Sequence, residues 1–232
     1  MGKSVLLSLE DRTELFRHAW GFQGLSDPQI REIAEQALVR GFKKGEMIFD
    51  LDEPCEYFYI VSQGLIKVSM CSPSGTRITY LLAGRGEPLN LVGPFTGTPR
   101  FLSAEALQDS AVACIRREDF VSYAFKYPQV VKSIISILGN AIDSANARII
   151  DMMEKRVEQR IIKVLYTLYK KFGATLHFTS TEIAELAGTT TESTLRAMGR
   201  LREMGAISSS RGETNILEPS QLECLNNETL WL

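Results

Sequence analysis

Histidine is scarce in this 232-residue sequence: His18 and His177 are its two, and none lies between them. The middle of the chain therefore lacks the imidazoles of a histidine-rich metal centre, and a metalloenzyme built there is not expected. Cysteine is sparse as well. Cys55, Cys71, Cys114 and Cys224 are scattered without metal-ligand spacing, which leaves small core or surface positions as their simplest use. No apolar run approaches the ~18 residues of a membrane span. The opening MGKSVLLSLEDR meets acidic residues too soon for a signal peptide, so a cytoplasmic setting is expected, where structural disulfides are disfavoured. A P-loop, a nucleophile elbow and GxGxxG are all missing, and the chain is not expected to be an enzyme.

With 44% hydrophobic and 23% charged residues, the length suits two modest domains with real cores. Net charge is −2, but Arg156 to Gly212 carries nine Lys/Arg against five Asp/Glu, while Glu213 to Leu232 carries four Glu and no basic residue. The positive segment contains FTSTEIAELAGTTTESTLRAMGRLREMGAI, from Phe178 to Ile207. Thr179 and Glu182 stand at capping-box spacing before a helix over Ser180 to Ala187, with Ile183, Leu186 and Ala187 on one face. Gly188 ends it. A second helix, from about Thr191 to Met204, is expected to bury Thr194, Ala197, Met198 and Leu201. Its other face carries Thr191, Glu192, Leu195, Arg196 and Arg200, the pattern of a helix-turn-helix whose second helix enters the DNA major groove. An ordinary helical hairpin is the alternative reading. Beyond Gly205, two short strands around a turn at Arg211-Gly212 read as a wing.

Upstream, residues 4 to 24 hold a mixed helical segment, and Ser26-Asp27-Pro28-Gln29 is a capped helix start, followed by Ile30, Ile33, Ala34 and Leu38 as an apolar face. From Val39 to about Ile115 come strand-like pieces, among them EMIFDL, EYFYIVSQGLIKVSMC, RITYLLA and SAVACIRR, separated by Gly- or Pro-bearing turns. Such punctuation predicts a compact antiparallel roll or barrel. From about Pro128 to Arg156, Val131, Ile135, Leu138, Ile142, Ala145, Ile149 and Met152 alternate steps of four and three. They form either a coiled-coil seam or the face of a core helix packed on the roll. A helix over Arg160 to Phe172 offers Ile161, Leu165 and Leu168 as core, with Arg160 and Lys163 either solvated or touching phosphates.

The order KKGEMIF, DEPCEYFYIVSQGLIKV, SGTRITYLLAGRGEPL resembles the jelly-roll effector domain of the CRP/FNR (cyclic-AMP receptor protein) superfamily, and Lys155 to Ile161 is similar to that family's hinge. The resemblance runs from about Leu25 to Leu222 in the family's domain order. It implies an α+β chain with an N-terminal jelly-roll (cyclic-nucleotide-binding-like) effector-sensing domain over 1–127, a long dimerisation helix over 128–157 and a C-terminal winged helix-turn-helix DNA-binding domain over 158–232. It further implies a homodimeric transcription regulator, by family analogy an activator, with double-stranded operator DNA, RNA polymerase and a small-molecule effector as partners. The seam Ile135, Leu138, Ile142, Ala145, Ile149 and Met152 would be the dimer contact. Glu192 and Arg196 match the Glu and Arg that many members carry four residues apart, which implies a half-site containing TGA in an inverted repeat. Thr191 and Leu195 depart from the family's usual neighbours, and Leu195 is placed to press a thymine methyl. Thr190, Ser193 and Arg200 are expected at phosphates. Glu192 has a structural alternative, since Thr189-x-x-Glu192 is itself a capping box.

The family's cyclic-nucleotide members hold the phosphate with an Arg and the ribose with a Glu. Here the Arg position is Leu102, followed by a matching Ser103, and the Gly-Glu-Leu motif becomes Asn90, Leu91 and Val92. The base-touching pair on the long helix becomes Ala145 and Asn146. A cyclic phosphate buried against Leu91 and Leu102 would leave its charge unpaired, so cyclic AMP is not expected, and Arg100 serves an anion only if its loop shifts. Iron-sulfur members need N-terminal cysteines, and the first here is Cys55. Haem remains an alternative, a gas or nitric oxide sensor, because SILGNAIDSANARIIDMM resembles the long helix of haem members; the family's axial position falls near Val92, which leaves His18, or else a Met or Cys, as the candidate ligand. The preferred reading is a small, partly apolar effector among Leu89, Leu91, Val92, Phe95, Phe101 and Leu102, anchored by Asn146; the same residues also suit simple filling of the roll. A regulatory module without DNA binding is the further alternative, opposed by the positive segment, Arg196 and the wing.

Overall fold

The computed structural model describes residues 2–73 and 75–223. They fall into two compact units, one of residues up to 70 with 81–140, the other of 71–80 with 141 onward. In chain order the elements are β1 (Lys3–Ser4), α1 (Leu9–His18), α2 (Asp27–Gln36), β2 (Leu38–Phe42), β3 (Met47–Phe49), β4 (Tyr57–Gln63), β5 (Ile66–Cys71), β6 (Arg77–Ala83), α3 (Gly93–Thr96), β7 (Ser103–Ala106), β8 (Ser110–Arg116), α4 (Arg117–Lys126) and α5 (Pro128–Glu154). There follow α6 (Val157–Phe172), β9 (Thr175–Leu176), α7 (Ser180–Ala187), α8 (Thr191–Glu203), β10 (Ile207–Ser210), β11 (Glu213–Ile216) and α9 (Pro219–Glu223).

The roll is a jelly-roll of two four-stranded sheets, ordered β1-β2-β8-β4 and β3-β7-β5-β6. Alternation along the first sheet sorts its two faces. Val39, Phe58, Ile60, Ala113 and Ile115 turn to one side, where they pack with Phe16, Phe22, Ile30 and Ile33 of the helical layer, with Phe120 and Tyr123 of α4, and with Val130 and Ile134 of α5. Phe58 and Phe120 stack at 3.8 Å and 7°. Arg40, Phe42, Tyr57 and Tyr59, the alternate residues, face the other way. The capped start of α2 is present, Ser26 N donating to Gln29 Oε1 at 2.8 Å. Leu38 departs from expectation: α2 stops at Gln36, and Leu38 pairs with Cys114 as the exposed first residue of β2. Strand β7 was not expected. Its buried residues, Ala104 and Ala106, are too small to write an apolar alternation into the sequence.

Gly64 fixes the β4–β5 turn. Its φ is +93°, and a Cβ there would stand 2.7 Å from the Cβ and 2.8 Å from the Cα of Ser110.

The apolar residues of helix α5 divide between core and surface. Val130 and Ile134 are buried in the roll's core, with Val131 and Leu138 partly buried against it. Ile135, Ile142 and Ile149, at heptad spacing, are 63%, 61% and 56% exposed. Leu138 thus belongs in part to the core rather than to an open seam. Met152 also turns away from a pure seam role, since its Cε lies 2.5 Å from where a Cβ at Gly188 would stand.

The second unit buries Ile161, Leu165 and Leu168 of α6 against α7 and α8. The sheet β10-β11-β9 forms the wing, with Ser210 paired to Glu213 across the Arg211-Gly212 turn. No helix among the described residues is long and apolar enough to cross a membrane.

Candidate nucleic-acid interface

Helix α7 begins as its sequence dictates: Thr179 Oγ1 accepts from Glu182 N at 3.2 Å, and Glu182 Oε2 accepts from Thr179 N at 2.6 Å. Gly188 closes it in the left-handed conformation, φ +60° and ψ +48°, which turns the chain toward α8. The cap of α8 differs from expectation. Thr190, not Thr189, is the N-cap, its hydroxyl accepting from Ser193 N at 3.2 Å. Glu192 therefore sits at the second helical position, is not spent on a capping box, and stands largely in solvent 3.8 Å from Arg196. Thr194, Ala197, Met198 and Leu201 are buried beneath α8, so Glu192, Leu195 and Arg196 are pushed outward together.

The hydroxyls expected at phosphates are partly engaged. Thr190 Oγ1 donates to Ser193 Oγ at 3.0 Å, and Thr191 Oγ1 to Thr181 Oγ1 at 3.4 Å. Arg200 is paired with Glu158 at the start of α6, Nη1 to Oε2 at 2.5 Å. A cleft of about 280 Å³ lies between these elements, lined by Arg156, Glu158, Ser193, Arg196 and Arg200 among others. Arg156 was missed by the sequence reading. It is the N-cap of α6, and only the packing of α6 on α8 brings it beside the other two arginines.

Two basic residues are corrected outright. Arg160 is neither solvated nor aimed at phosphate. Its Nε donates to Ala187 O at 3.1 Å, its Nη1 to Lys155 O at 3.1 Å and its Nη2 to Gly188 O at 3.3 Å. Lys163 is 1% exposed, with Nζ 2.6 Å from Asp151 Oδ2. Burial opposes ionisation of Asp151, but hydrogen bonds from Lys155 and Lys163 outweigh it and hold the carboxyl below its usual range. Arg148 completes this framework, donating to Thr79 O at 2.9 Å and Leu186 O at 3.0 Å.

The expected effector residues do not come together. Leu91 and Phe95 pack on the helical side of the roll, Leu89 and Leu102 are buried, and Val92 and Phe101 are exposed. Asn146 is exposed on the part of α5 that belongs to the second unit. Ser103 Oγ donates to Asp50 Oδ1 at 2.5 Å. The histidines do not fit a haem site: His18 is an exposed surface residue hydrogen-bonded to Glu14 at 2.9 Å, and His177 is exposed 3.6 Å from Glu213. Burial pushes the Cys55 and Cys114 thiols up, disfavouring thiolate at both.

The roll instead holds a cavity of about 380 Å³, lined by Arg40, Phe42, Phe49, Glu53, Glu56, Tyr57, Tyr59 and Arg100 together with Gly2, Met47, Ile48 and Pro54. None of the seven expected effector residues lines it.

A jelly-roll followed by a long helix and a winged helix-turn-helix defines a class of DNA-binding regulators. Residues 39–127 match the cyclic nucleotide-binding domain, and residues 159–225 match the Crp-like helix-turn-helix domain. A CRP-like cAMP-activated global transcriptional regulator of Mycobacterium tuberculosis is 24% identical over 202 residues, covering 84% of this chain and 90% of its own. Among solved structures, FixK2 from Bradyrhizobium japonicum superposes with a TM-score of 0.73 at 21% identity, covering 83% of this chain and 98% of its own. A CRP/FNR family transcriptional regulator from Thermus thermophilus gives 0.69 at 23%, covering 81% and 97%. The chain belongs to the CRP/FNR family of transcription regulators and carries its DNA-binding helix-turn-helix.

Proposed function

We propose that the chain acts as a homodimeric activator that binds inverted-repeat operators with TGA half-sites and is controlled by a small effector, other than cyclic AMP, in its roll. The domain division is 1–127 for sensing, 128–157 for dimerisation and 158–232 for DNA binding. The observation that carries the reading is the pair Glu192 and Arg196, one turn apart on the exposed face of α8 and 3.8 Å from each other. Arg196 reads guanine O6 and N7, and Glu192 accepts from a cytosine amino group. Thr191 and Leu195 flank them at base edges. Ser193, Arg200 and the newly found Arg156 serve phosphates, with Thr190 holding the helix end. Exposed Ile135, Ile142 and Ile149 support pairing along α5. The RNA polymerase contact and the activating role follow family analogy. Two features oppose cyclic AMP: Leu102 stands at the phosphate position, and the adjacent Ser103 hydroxyl is taken by the Asp50 carboxylate, which would repel a phosphate.

Selection of DNA sites from a random pool tests this. Recovered sites should be inverted repeats with half-site centres about 34 Å apart. Arg196→Ala should cost about 1–3 kcal/mol at the guanine and relax preference there alone. Sites without symmetry, or an Arg196→Ala variant with unchanged preference, would remove the basis of the reading.

A further inference from the structure

Arg100 enters the roll from the segment preceding β7 and is 3% exposed. Among the described residues it has no carboxylate partner. Nη2 donates to Tyr57 O at 3.0 Å, while Nε and Nη1 are buried with no hydrogen-bond partner. The guanidinium lies over the Phe49 ring at 4.0 Å and near Tyr59 at 5.3 Å. A buried cation compensated by one carbonyl and two ring faces is a poor structural investment, because desolvating a charge is costly unless it is paired. It is a good arrangement for receiving an anion, since the donors are already dehydrated and fixed.

The surroundings narrow the class. Phe49 and Tyr59 stack at 5.7 Å, Tyr57 stands 6.1 Å from Tyr59, and Arg40 covers Tyr57 at 4.7 Å. Tyr57 and Tyr59 come from β4 of the first sheet and Phe49 from β3 of the second, so the rings form an aromatic wall inside the roll to which both sheets contribute. Glu53 and Glu56, both exposed, line the same cavity. They oppose a dianion such as phosphate and tolerate a monoanion seated deep against Arg100. A volume of about 380 Å³ falls at the small end of ligand pockets.

We propose that this cavity binds a small aromatic carboxylic acid, its carboxylate on Arg100 and its ring against Phe49, Tyr57 and Tyr59. The inference deepens the reading that the roll receives an effector and rests on it for any regulatory consequence.

The test is calorimetric titration of the full chain, free of DNA, with benzoate and indole-3-acetate, each beside its uncharged amide, and with inorganic phosphate and cyclic AMP. An aromatic carboxylate should saturate one site per chain, with its amide at least about tenfold weaker for want of the charge-assisted hydrogen bond. Arg100→Met should abolish binding. Tyr57→Ala, at a half-exposed position whose loss the fold tolerates, should weaken it by about tenfold. The proposal is overturned if neither carboxylate saturates, if the amides bind equally, if both variants titrate like the parent, or if phosphate or cyclic AMP competes for the site. DNA affinity of the ligand-free chain is measured separately: failure there removes the operator reading and leaves the titration standing, and the reverse holds as well.

Discussion

Replacing Arg160 by Met separates two physical roles that one arginine near a DNA-binding helix can play. Its three nitrogens hold the carbonyls of Ala187, Gly188 and Lys155, so the guanidinium ties the C-terminal end of α7 to the junction of α5 and α6. The carbonyls of Ala187 and its C-cap Gly188 close α7, where no intrahelical donor remains and the helix dipole favours a cation, while that of Lys155 lies just beyond α5. A hydrogen bond to a charged group contributes about 1.5–3 kcal/mol, and three sharing one side chain are not additive, so Arg160→Met should destabilise the chain by roughly 2–4 kcal/mol. Arg160→Lys should recover less than half, because one ammonium cannot span three separated carbonyls. Urea denaturation at fixed protein concentration reads the loss as a lower midpoint with an unchanged slope. The salt dependence of operator binding gives the second readout. A phosphate-contacting arginine, when removed, lowers the slope of log affinity against log salt by about one; a structural one leaves it alone. A Met variant of unchanged stability with a slope reduced by one would refute the structural role.

Other positions yield sharper local outcomes. Gly188→Ala places a Cβ at φ +60° and 2.5 Å from Met152 Cε; a cost of about 1–2 kcal/mol from the left-handed backbone is expected, with Gly188→Asn milder, in thermal melts. Gly64→Ala should be worse, since the new Cβ meets the backbone of Ser110 at 2.8 Å, and soluble yield together with the urea midpoint would show it. The Asp151 carboxyl is held below its usual range in the folded chain, so its contribution is present above the unfolded pKa of about 3.9 and is lost as pH falls through the folded value. Asp151→Asn should therefore flatten the acid limb of stability against pH below about 4, and a variant that keeps the parent's acid limb would contradict this.

The helix-turn-helix was legible because each of its signals is local. A capping box at Thr179 and Glu182, a glycine able to take the left-handed conformation, and an apolar stripe at three-and-four spacing all lie within 30 residues, and each dictates its own structure. The roll was legible as punctuation, since turn residues mark where strands must end, although β7 escaped because Ala104 and Ala106 carry no alternation. Leu38 shows the opposite failure. Its spacing continued the apolar face of α2, but backbone pairing with β8 claimed it.

The errors at the functional positions have one cause: a cation's role is set by what faces it from distant parts of the chain. Arg160, Lys163 and Arg200 read alike in sequence, as basic residues on amphipathic helices. Packing gives the first a helix end, the second a buried carboxylate and the third a half-buried glutamate. Arg100 is the extreme case. Nothing near it in sequence distinguishes it from a solvated loop arginine; Phe49 and Tyr59, which make its burial possible, come from β3 and β4, some forty to fifty residues earlier. Apolar character near the expected phosphate position drew the effector reading toward Leu91 and Leu102, residues whose hydrophobicity is explained by the core they fill. The informative residue was the charged one that the fold buries without a counter-ion, and only the pairing of strands reveals that it is buried.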